Sequence, residues 1–405
     1  MKSIVQVFSF DIVSKVLLGV AGVVLIRFMP EIEYASYTLA VSLIAVVTQT
    51  VVLSFKRIYI IGYERFKIAS SPSSFLGFQL WCIFLIVLIT LPFKDFTQEV
   101  YWFIVASVIA TCLSEFSKTV VQQQLKFLQF SIIEIARTLV FVLSLLLLIY
   151  FIRYDLKAWQ VLVVQATAMF VVFLVAFSRY LELSRLLKIE ESIRLAVTLL
   201  KGEYKYVFGY FFIFAFFAQV DVFVLKALAG TVELATYGSA FRYYSLLLLA
   251  LGAVHTVLLP VVQRVHSISE LESILGQHRR MLLLFVPLVL FGAWISQWII
   301  PWIDKGKYPD AVMVFQILAI SAVISFAFSP HSNLLMRFED FRFLFVSICF
   351  GLLVNVGLCV WLVPMLSATG PAIATVIAFG GVNGSIFLRA RKHRKSLASL
   401  QQGDS

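Results

Sequence analysis

Charged side chains interrupt the apolar stretches of this sequence at only a few positions. A charge inside such a stretch is costly unless it pairs or faces water, so each one is a candidate for function. They are Asp11, Lys15, Glu115, Glu134, Arg137, Asp221 and Arg242. Two acid–base pairs stand one helical turn apart, Asp11 with Lys15 and Glu134 with Arg137. Either these pairs neutralise each other in a packed interior, or their basic members line a cavity for an anion.

Phosphate is the anion that such basic side chains would suit best. A guanidinium group matches phosphate oxygens with two parallel hydrogen bonds, and a lysine acts as a point charge. The candidate anion-binding residues are Lys15, Arg27, Arg137 and Arg242. Arg27 has a second interpretation as an interfacial anchor, because it stands at the end of an apolar stretch. Asp221, on the preceding helix, is the expected partner of Arg242.

Three carboxylates, Asp11, Glu115 and Asp221, are candidates for ion coupling or for charge pairing. A carboxyl group in a medium of low dielectric holds its proton more tightly, and it could exchange that proton or bind sodium. No His/Cys cluster has metal-ligand spacing, and no G-x-x-x-x-G-K-[ST] phosphate loop is present. The sequence therefore predicts no metal site, no cofactor and no enzyme activity.

Long apolar segments hold these residues. Hydrophobic residues make up 61% of the 405 residues and charged residues 14%, whereas a soluble domain has roughly half and about a quarter. Nearly every apolar block has the ~20-residue length that crosses a membrane. The sequence thus predicts an all-α integral membrane protein with about twelve transmembrane helices. They are placed at 4–28, 35–55, 75–93, 99–117, 132–152, 158–178, 204–228, 234–262, 281–303, 311–333, 341–363 and 368–388.

The basic residues are distributed unevenly along the chain. If the N-terminus is cytoplasmic, 23 of the 33 lysines and arginines fall on the inner side, seven on the outer side and three within spans. The positive-inside rule then predicts that both termini are cytoplasmic. The basic run Arg389–Lys395 follows the last span directly, so it indicates an anchor at anionic lipid rather than a nucleic-acid site.

Two similar halves make up the chain. Glu33–Ala40 matches Glu233–Ala240 at an offset of 200 residues, and each copy joins the first and second helix of its half. Six helices separate the copies, which predicts two six-helix bundles related by a pseudo-twofold axis along the membrane normal. The predicted domains are a bundle at 1–178, an amphipathic cytoplasmic linker at 179–203, a bundle at 204–388 and a basic tail at 389–405.

Three segments resemble polysaccharide exporters of the multidrug/oligosaccharidyl-lipid/polysaccharide flippase superfamily, and Wzx-type O-antigen flippases in particular. The segments are Ser14–Leu17 with Arg27–Pro30 and Tyr34–Tyr37; Val220–Leu225 with Ala235–Arg242 and Leu259–Pro260; and Lys307–Ala311 with Ile317–Ala319, Asn333–Leu335, Asn355–Val356, Val363–Pro364 and Gly370–Thr375. Two features depart from the family pattern. Ala35-Ser36 and Ala235-Thr236 stand where a glycine often precedes the tyrosine, and Pro371 replaces a small residue.

The resemblance implies a V-shaped pair of bundles around a central cavity in the bacterial inner membrane. It implies that an undecaprenyl-diphosphate-linked oligosaccharide, such as an O-antigen unit, crosses from the cytoplasmic to the outer leaflet by alternating access. The implied partners are this lipid-linked oligosaccharide diphosphate, membrane lipids and, as further candidates, a polysaccharide polymerase and a chain-length regulator. Two alternatives stay open, a multidrug exporter of the same superfamily and a polysaccharide polymerase.

Overall fold

The computed structural model describes residues 2–56, 72–123, 126–152, 155–177, 190–191, 193–194, 197, 200–202, 204–263 and 267–403. The secondary structure within these ranges is helical and contains no strand, which confirms the all-α fold class. Nine of the described helices are long and apolar enough to cross a membrane. Two shorter consecutive helices make a tenth crossing if they count as one interrupted span.

Most α-helices lie at the predicted spans, and two consecutive helices together occupy the seventh. A π-helix, Thr48–Ser54, follows the second α-helix, and a 3-10 helix, Leu91–Val100, joins the third α-helix to the fourth. The α-helices are α1 (Lys2–Phe28), α2 (Glu31–Val47), α3 (Pro72–Thr90), α4 (Tyr101–Gln123), α5 (Phe127–Ile152), α6 (Ala158–Phe177), α7 (Tyr204–Phe217), α8 (Val220–Leu228), α9 (Thr231–Gln263), α10 (Ile268–Asp304), α11 (Ala311–Arg337), α12 (Phe341–Leu366) and α13 (Thr369–Gly403).

Contacts between helices divide the chain into two units, Met1–Gln219 and Val220–Ser405. In the first unit α4 packs against α6, and α1 packs against α5. In the second unit α13 packs against α11 and α12, and α9 packs against α11. The predicted second bundle begins at residue 204, but α7 packs against the π-helix of the first unit. Beside that π-helix, Phe55 stacks on Phe208 with ring centres 4.7 Å apart, so α7 belongs with the first unit.

The local structure of the two sequence repeats is the same. The amide of Met29 donates to the carbonyl of Leu25 at 3.0 Å, and 200 residues later the amide of Ala229 donates to that of Leu225 at 2.9 Å. The helices that follow, α2 and α9, start at residues 31 and 231. The matched residues Tyr37 and Tyr237 are buried. The repeat therefore has a structural basis in each unit.

The two predicted connecting segments have different outcomes. The linker at 179–203 lies mostly outside the described residues. Within the predicted tail at 389–405, α13 continues without a break to Gly403. The last helix is therefore longer than the predicted span.

Candidate functional site

A buried carboxylate, Asp221, forms a polar site in the interior of the second unit. It stands in the first turn of α8, directly after the break that separates α7 from α8. Only 5% of its surface is exposed. A carboxylate that is removed from water in this way must recover its hydrogen bonds from neighbouring groups.

Four neutral groups supply those hydrogen bonds. The hydroxyl of Tyr237 on α9 and the hydroxyl of Thr375 on α13 donate to Oδ2, the latter at 2.7 Å. On α12, the amide of Asn355 donates to Oδ1 at 3.2 Å, and the thiol of Cys359 lies 3.6 Å from the same oxygen. All four donors are at most 6% exposed. Three helices thus converge on one carboxyl group.

No positive charge accompanies this carboxyl group within the described part of the second unit. Arg242, its expected partner, is half-buried on α9, but the hydrogen bonds of Asp221 go to the neutral donors instead. Hydrogen bonds from these donors offset the loss of water, but the donors carry no charge that would balance the carboxylate. The arrangement can therefore hold a proton or a small monovalent cation.

A second polar cluster lies in the first unit, where the end of the π-helix meets α4 and α5. We call its five residues the ion-pair cluster: Lys56, Glu115, Lys118, Glu134 and Arg137. Lys56 lies 3.0 Å from a carboxylate oxygen of Glu115, and Lys118 bridges Glu115 at 2.6 Å and Glu134 at 2.9 Å. Arg137 pairs with Glu134 one turn away. The side chains are between 9% and 13% exposed.

The ion-pair cluster carries three positive and two negative groups, so one positive charge is left over. The ring of Phe130 offsets part of that excess, since the ammonium of Lys118 lies 5.2 Å and that of Lys56 5.8 Å from its centre. The π-helix that precedes Lys56 is held by Gln79 of α3, which donates to the carbonyls of Val51 and Val52. These hydrogen bonds hold the backbone that positions Lys56 in the ion-pair cluster.

The structure places the charged residues that the sequence predicts as site residues in different surroundings. Glu134 and Arg137 are in contact, and Glu115 pairs with Lys56 and Lys118. Arg27 is exposed in the last turn of α1. The side chains of Asp11 and Lys15 lie outside the described residues, so their pairing stays a prediction.

The sequence alone does not identify several residues of the Asp221 site and of the ion-pair cluster. Lys56 and Lys118 fall at the ends of predicted spans, where basic residues are common. Tyr237 and Thr375 are ordinary polar residues whose role depends on a carboxylate elsewhere in the chain. The one available signal was the spacing of Asn355 and Cys359, which places both on the same helix face. Across the described ranges, no group of three or more His, Cys, Asp or Glu side chains could hold a metal ion.

No family model matches this chain, and no curated protein sequence matches it. Several solved structures do. A lipid II flippase, MurJ, in an inward closed conformation is 14% identical with a TM-score of 0.75, over 95% of this chain and 87% of that one. An inward-facing multidrug resistance MATE family transporter of the MOP superfamily is 13% identical with a TM-score of 0.70, over 95% and 96%.

A third structure is a MOP superfamily transporter from Pyrococcus furiosus, described as having a binding pocket of reverse polarity. It is 13% identical with a TM-score of 0.64, over 98% of this chain and 96% of that one. These likenesses span nearly the whole length of each chain. The chain is thus a multi-pass membrane protein with the fold of MOP superfamily transporters.

Proposed function

We propose that this protein is a flippase that moves an undecaprenyl-diphosphate-linked oligosaccharide unit, an O-antigen unit or a related one, across the bacterial inner membrane by alternating access. The observation that carries the proposal is the likeness of fold, over nearly the whole chain, to a lipid II flippase. The sequence resemblance to Wzx-type flippases supports the same class of cargo. Both termini are cytoplasmic in this proposal, as the positive-inside rule predicts.

The charge of the interior also supports an anionic cargo. The ion-pair cluster has one more positive than negative group, and Arg242 adds a basic side chain to the second unit. A diphosphate concentrates negative charge, which basic side chains recognise. An exporter of organic cations would be served better by an excess of carboxylates. Arg137 and Arg242, with Lys15 and Arg27, remain the proposed contacts for the head group.

Asp221 is the proposed coupling site. The carboxylate, the hydroxyl of Thr375 and the amide of Asn355 offer oxygen atoms of the kind that sodium prefers, and the same carboxyl group could take a proton instead. Binding of either ion removes an unpaired buried charge. A gradient of that ion could therefore favour one conformation of the transporter over the other.

Reconstitution tests the flippase proposal directly. Liposomes receive the purified protein and an undecaprenyl-diphosphate oligosaccharide that carries a fluorophore quenched by dithionite. Dithionite reaches only the outer leaflet, so a flippase shows as quenching of the whole signal, whereas protein-free liposomes keep their inner-leaflet signal. A signal that remains protected in wild-type vesicles would contradict the proposal.

The coupling site is tested in the same vesicles under an imposed sodium or proton gradient. We expect one of the two gradients to accelerate flipping, and Asp221→Asn to abolish that acceleration. Asp310→Asn is the matched control, because it removes an exposed carboxylate at the start of α11. An Asp221→Asn variant that responds to the gradient as the wild type does would remove Asp221 from this role.

The multidrug-exporter alternative rests on the likeness of fold to a MATE family transporter. It predicts uptake of ethidium, an organic cation, by the same proteoliposomes in place of lipid flipping. A gene deletion in cells distinguishes the flippase from the polymerase alternative. Deletion of a flippase accumulates lipid-linked units on the cytoplasmic side, whereas deletion of a polymerase changes the length of the surface polysaccharide.

A further inference from the structure

A cavity of about 380 Å³ lies within the second unit, between α10, α11 and α13. Its volume falls in the range of roughly 300–1,000 Å³ that is usual for small-molecule sites. Most of its wall is apolar, with Leu271 and Leu275 from α10, Leu334 from α11 and Phe387 from α13. The ion-pair cluster and the site of Asp221 contribute no residue to it, so it is a separate feature.

Aromatic packing holds the wall of this cavity in place. The imidazole of His331 packs edge-on against Phe387 with ring centres 4.9 Å apart, and Phe328 contacts the same ring at 5.7 Å. Pro330 also lines the cavity, and its ring removes one backbone donor from α11. These contacts join α11 to α13, so the cavity is preformed rather than opened by a ligand.

Two arginines close one end of the cavity. Arg394 donates to Glu272 at 2.6 Å, which neutralises it. Arg391, one turn earlier on α13, is exposed and has no ion-pair partner in the part of the chain that the structure describes. The cavity therefore has one uncompensated positive charge at one end and mostly apolar side chains along the rest.

The position of Arg391 along α13 places its charge at the predicted surface of the membrane. Phe387 lies inside the predicted span at 368–388, whereas Arg391 and Arg394 lie just beyond its end, at the predicted cytoplasmic surface. A ligand that fills the cavity must thus present an anionic group at the membrane surface and an apolar chain below it. Basic pockets between transmembrane helices bind the head groups of anionic lipids in this way.

We propose that this cavity binds an anionic phospholipid of the surrounding bilayer, with the phosphate on Arg391 and one acyl chain among the leucines of α10 and α11. Charge complementarity carries this choice of occupant, because a zwitterionic lipid would bring its own cation to Arg391. The bound lipid is a structural lipid that contacts both α10 and α13 and stabilises their packing. The proposal is independent of what the protein transports.

Lipid titration of the delipidated full-length protein in detergent tests the site. The probes are phosphatidylglycerol and phosphatidylethanolamine with the same acyl chains, and the readout is the midpoint of thermal unfolding. We expect phosphatidylglycerol to raise the midpoint more than phosphatidylethanolamine does, and Arg391→Gln to lose at least half of that difference. Arg279→Gln removes an exposed arginine of α10 that does not line the cavity, and it should keep the difference.

A photoactivatable phosphatidylglycerol, cross-linked to the wild type and mapped by mass spectrometry, gives an answer that does not depend on any variant. Labelling of the peptides that contain Leu334 or Phe387 supports the site. Equal stabilisation by both lipids, or a full response in Arg391→Gln, overturns the proposal. Labelling by an undecaprenyl-diphosphate probe with none by phosphatidylglycerol also overturns it, and would assign the cavity to the transported lipid instead.

Discussion

The Nε2 atom of His278 lies 2.9 Å from the carbonyl oxygen of Phe326 and donates a hydrogen bond to it. The carbonyl of Phe326 would normally accept from the residue four positions later, but that residue is Pro330, which has no N–H. His278, on α10, thus replaces the donor that α11 lacks. Its ring also stacks on that of Phe326, with centres 4.8 Å apart. The proline is therefore tolerated because another helix completes the backbone.

We expect His278→Ala to lower the free energy of unfolding by about 1–2 kcal/mol, because it leaves a buried carbonyl without a donor and removes the ring contact. Pro330→Ala restores the N–H, so in that background the same substitution should cost about 1 kcal/mol less. The measurement is a double-mutant cycle by thermal unfolding in detergent. Equal costs in both backgrounds would show that His278 does not serve the carbonyl that Pro330 leaves open.

The sequence shows that Pro330 removes a backbone donor from its helix, but it does not show which residue compensates for it. His278 stands 48 residues before Phe326, and nothing in local spacing links them. The helices and the internal repeat were predictable because apolar length and short matches are local properties. The partners of Asp221 were not, since they stand between 16 and 154 residues away and come from three other helices. Only the packing of the second unit brings them together.

The ion-pair cluster makes a strong prediction about stability. Glu115→Gln leaves Lys56 and Lys118 without the carboxylate that they share, so we expect a loss of about 3–5 kcal/mol in the free energy of unfolding. Fluorescence-detected size-exclusion chromatography after heating measures the resulting fall in the unfolding temperature. Removing one lysine as well, in Glu115→Gln with Lys56→Met, should recover part of the loss because the cluster then keeps its original net charge.

An exposed ion pair provides the control for this prediction. Glu190 accepts from Arg194 at 3.2 Å, and the side chain of Glu190 is 87% exposed. Glu190→Gln should therefore change the stability by about 0.5 kcal/mol or less. If Glu115→Gln and Glu190→Gln unfolded at the same temperature, the burial of the cluster would have no energetic consequence and the argument for it would fail.

Thr375 tests whether the hydroxyl groups around Asp221 matter individually. Thr375→Val keeps the shape of the side chain but removes the donor to Oδ2, so we expect a loss of about 1–2 kcal/mol in stability and weaker gradient-driven flipping. Thr375→Ser keeps the hydroxyl and should retain most of both. Thermal unfolding and the dithionite assay measure the two effects. A Thr375→Val variant with wild-type behaviour in both would show that this hydrogen bond is dispensable.

Asp340, in the connection between α11 and α12, makes a prediction about pH. Burial alone would raise the pKa of its carboxyl group, but hydrogen bonds from Arg389 at 2.7 Å and His393 at 3.0 Å, together with their charge, outweigh burial and lower the pKa. A carboxyl group with a lowered pKa in the folded state stabilises the fold above its unfolded value of about 3.9, and this contribution is lost as the pH falls further.

Asp340→Asn should therefore lower the stability near neutral pH by about 1 kcal/mol or less, because Arg389 is partly exposed. The difference between variant and wild type should shrink as the pH falls below about 4, where the carboxyl group takes up a proton first in the unfolded chain and, at lower pH, in the folded protein. Thermal unfolding in detergent at a series of pH values measures this difference. A difference that grows towards acid pH would mean that the ion pairs of Asp340 do not stabilise the folded protein.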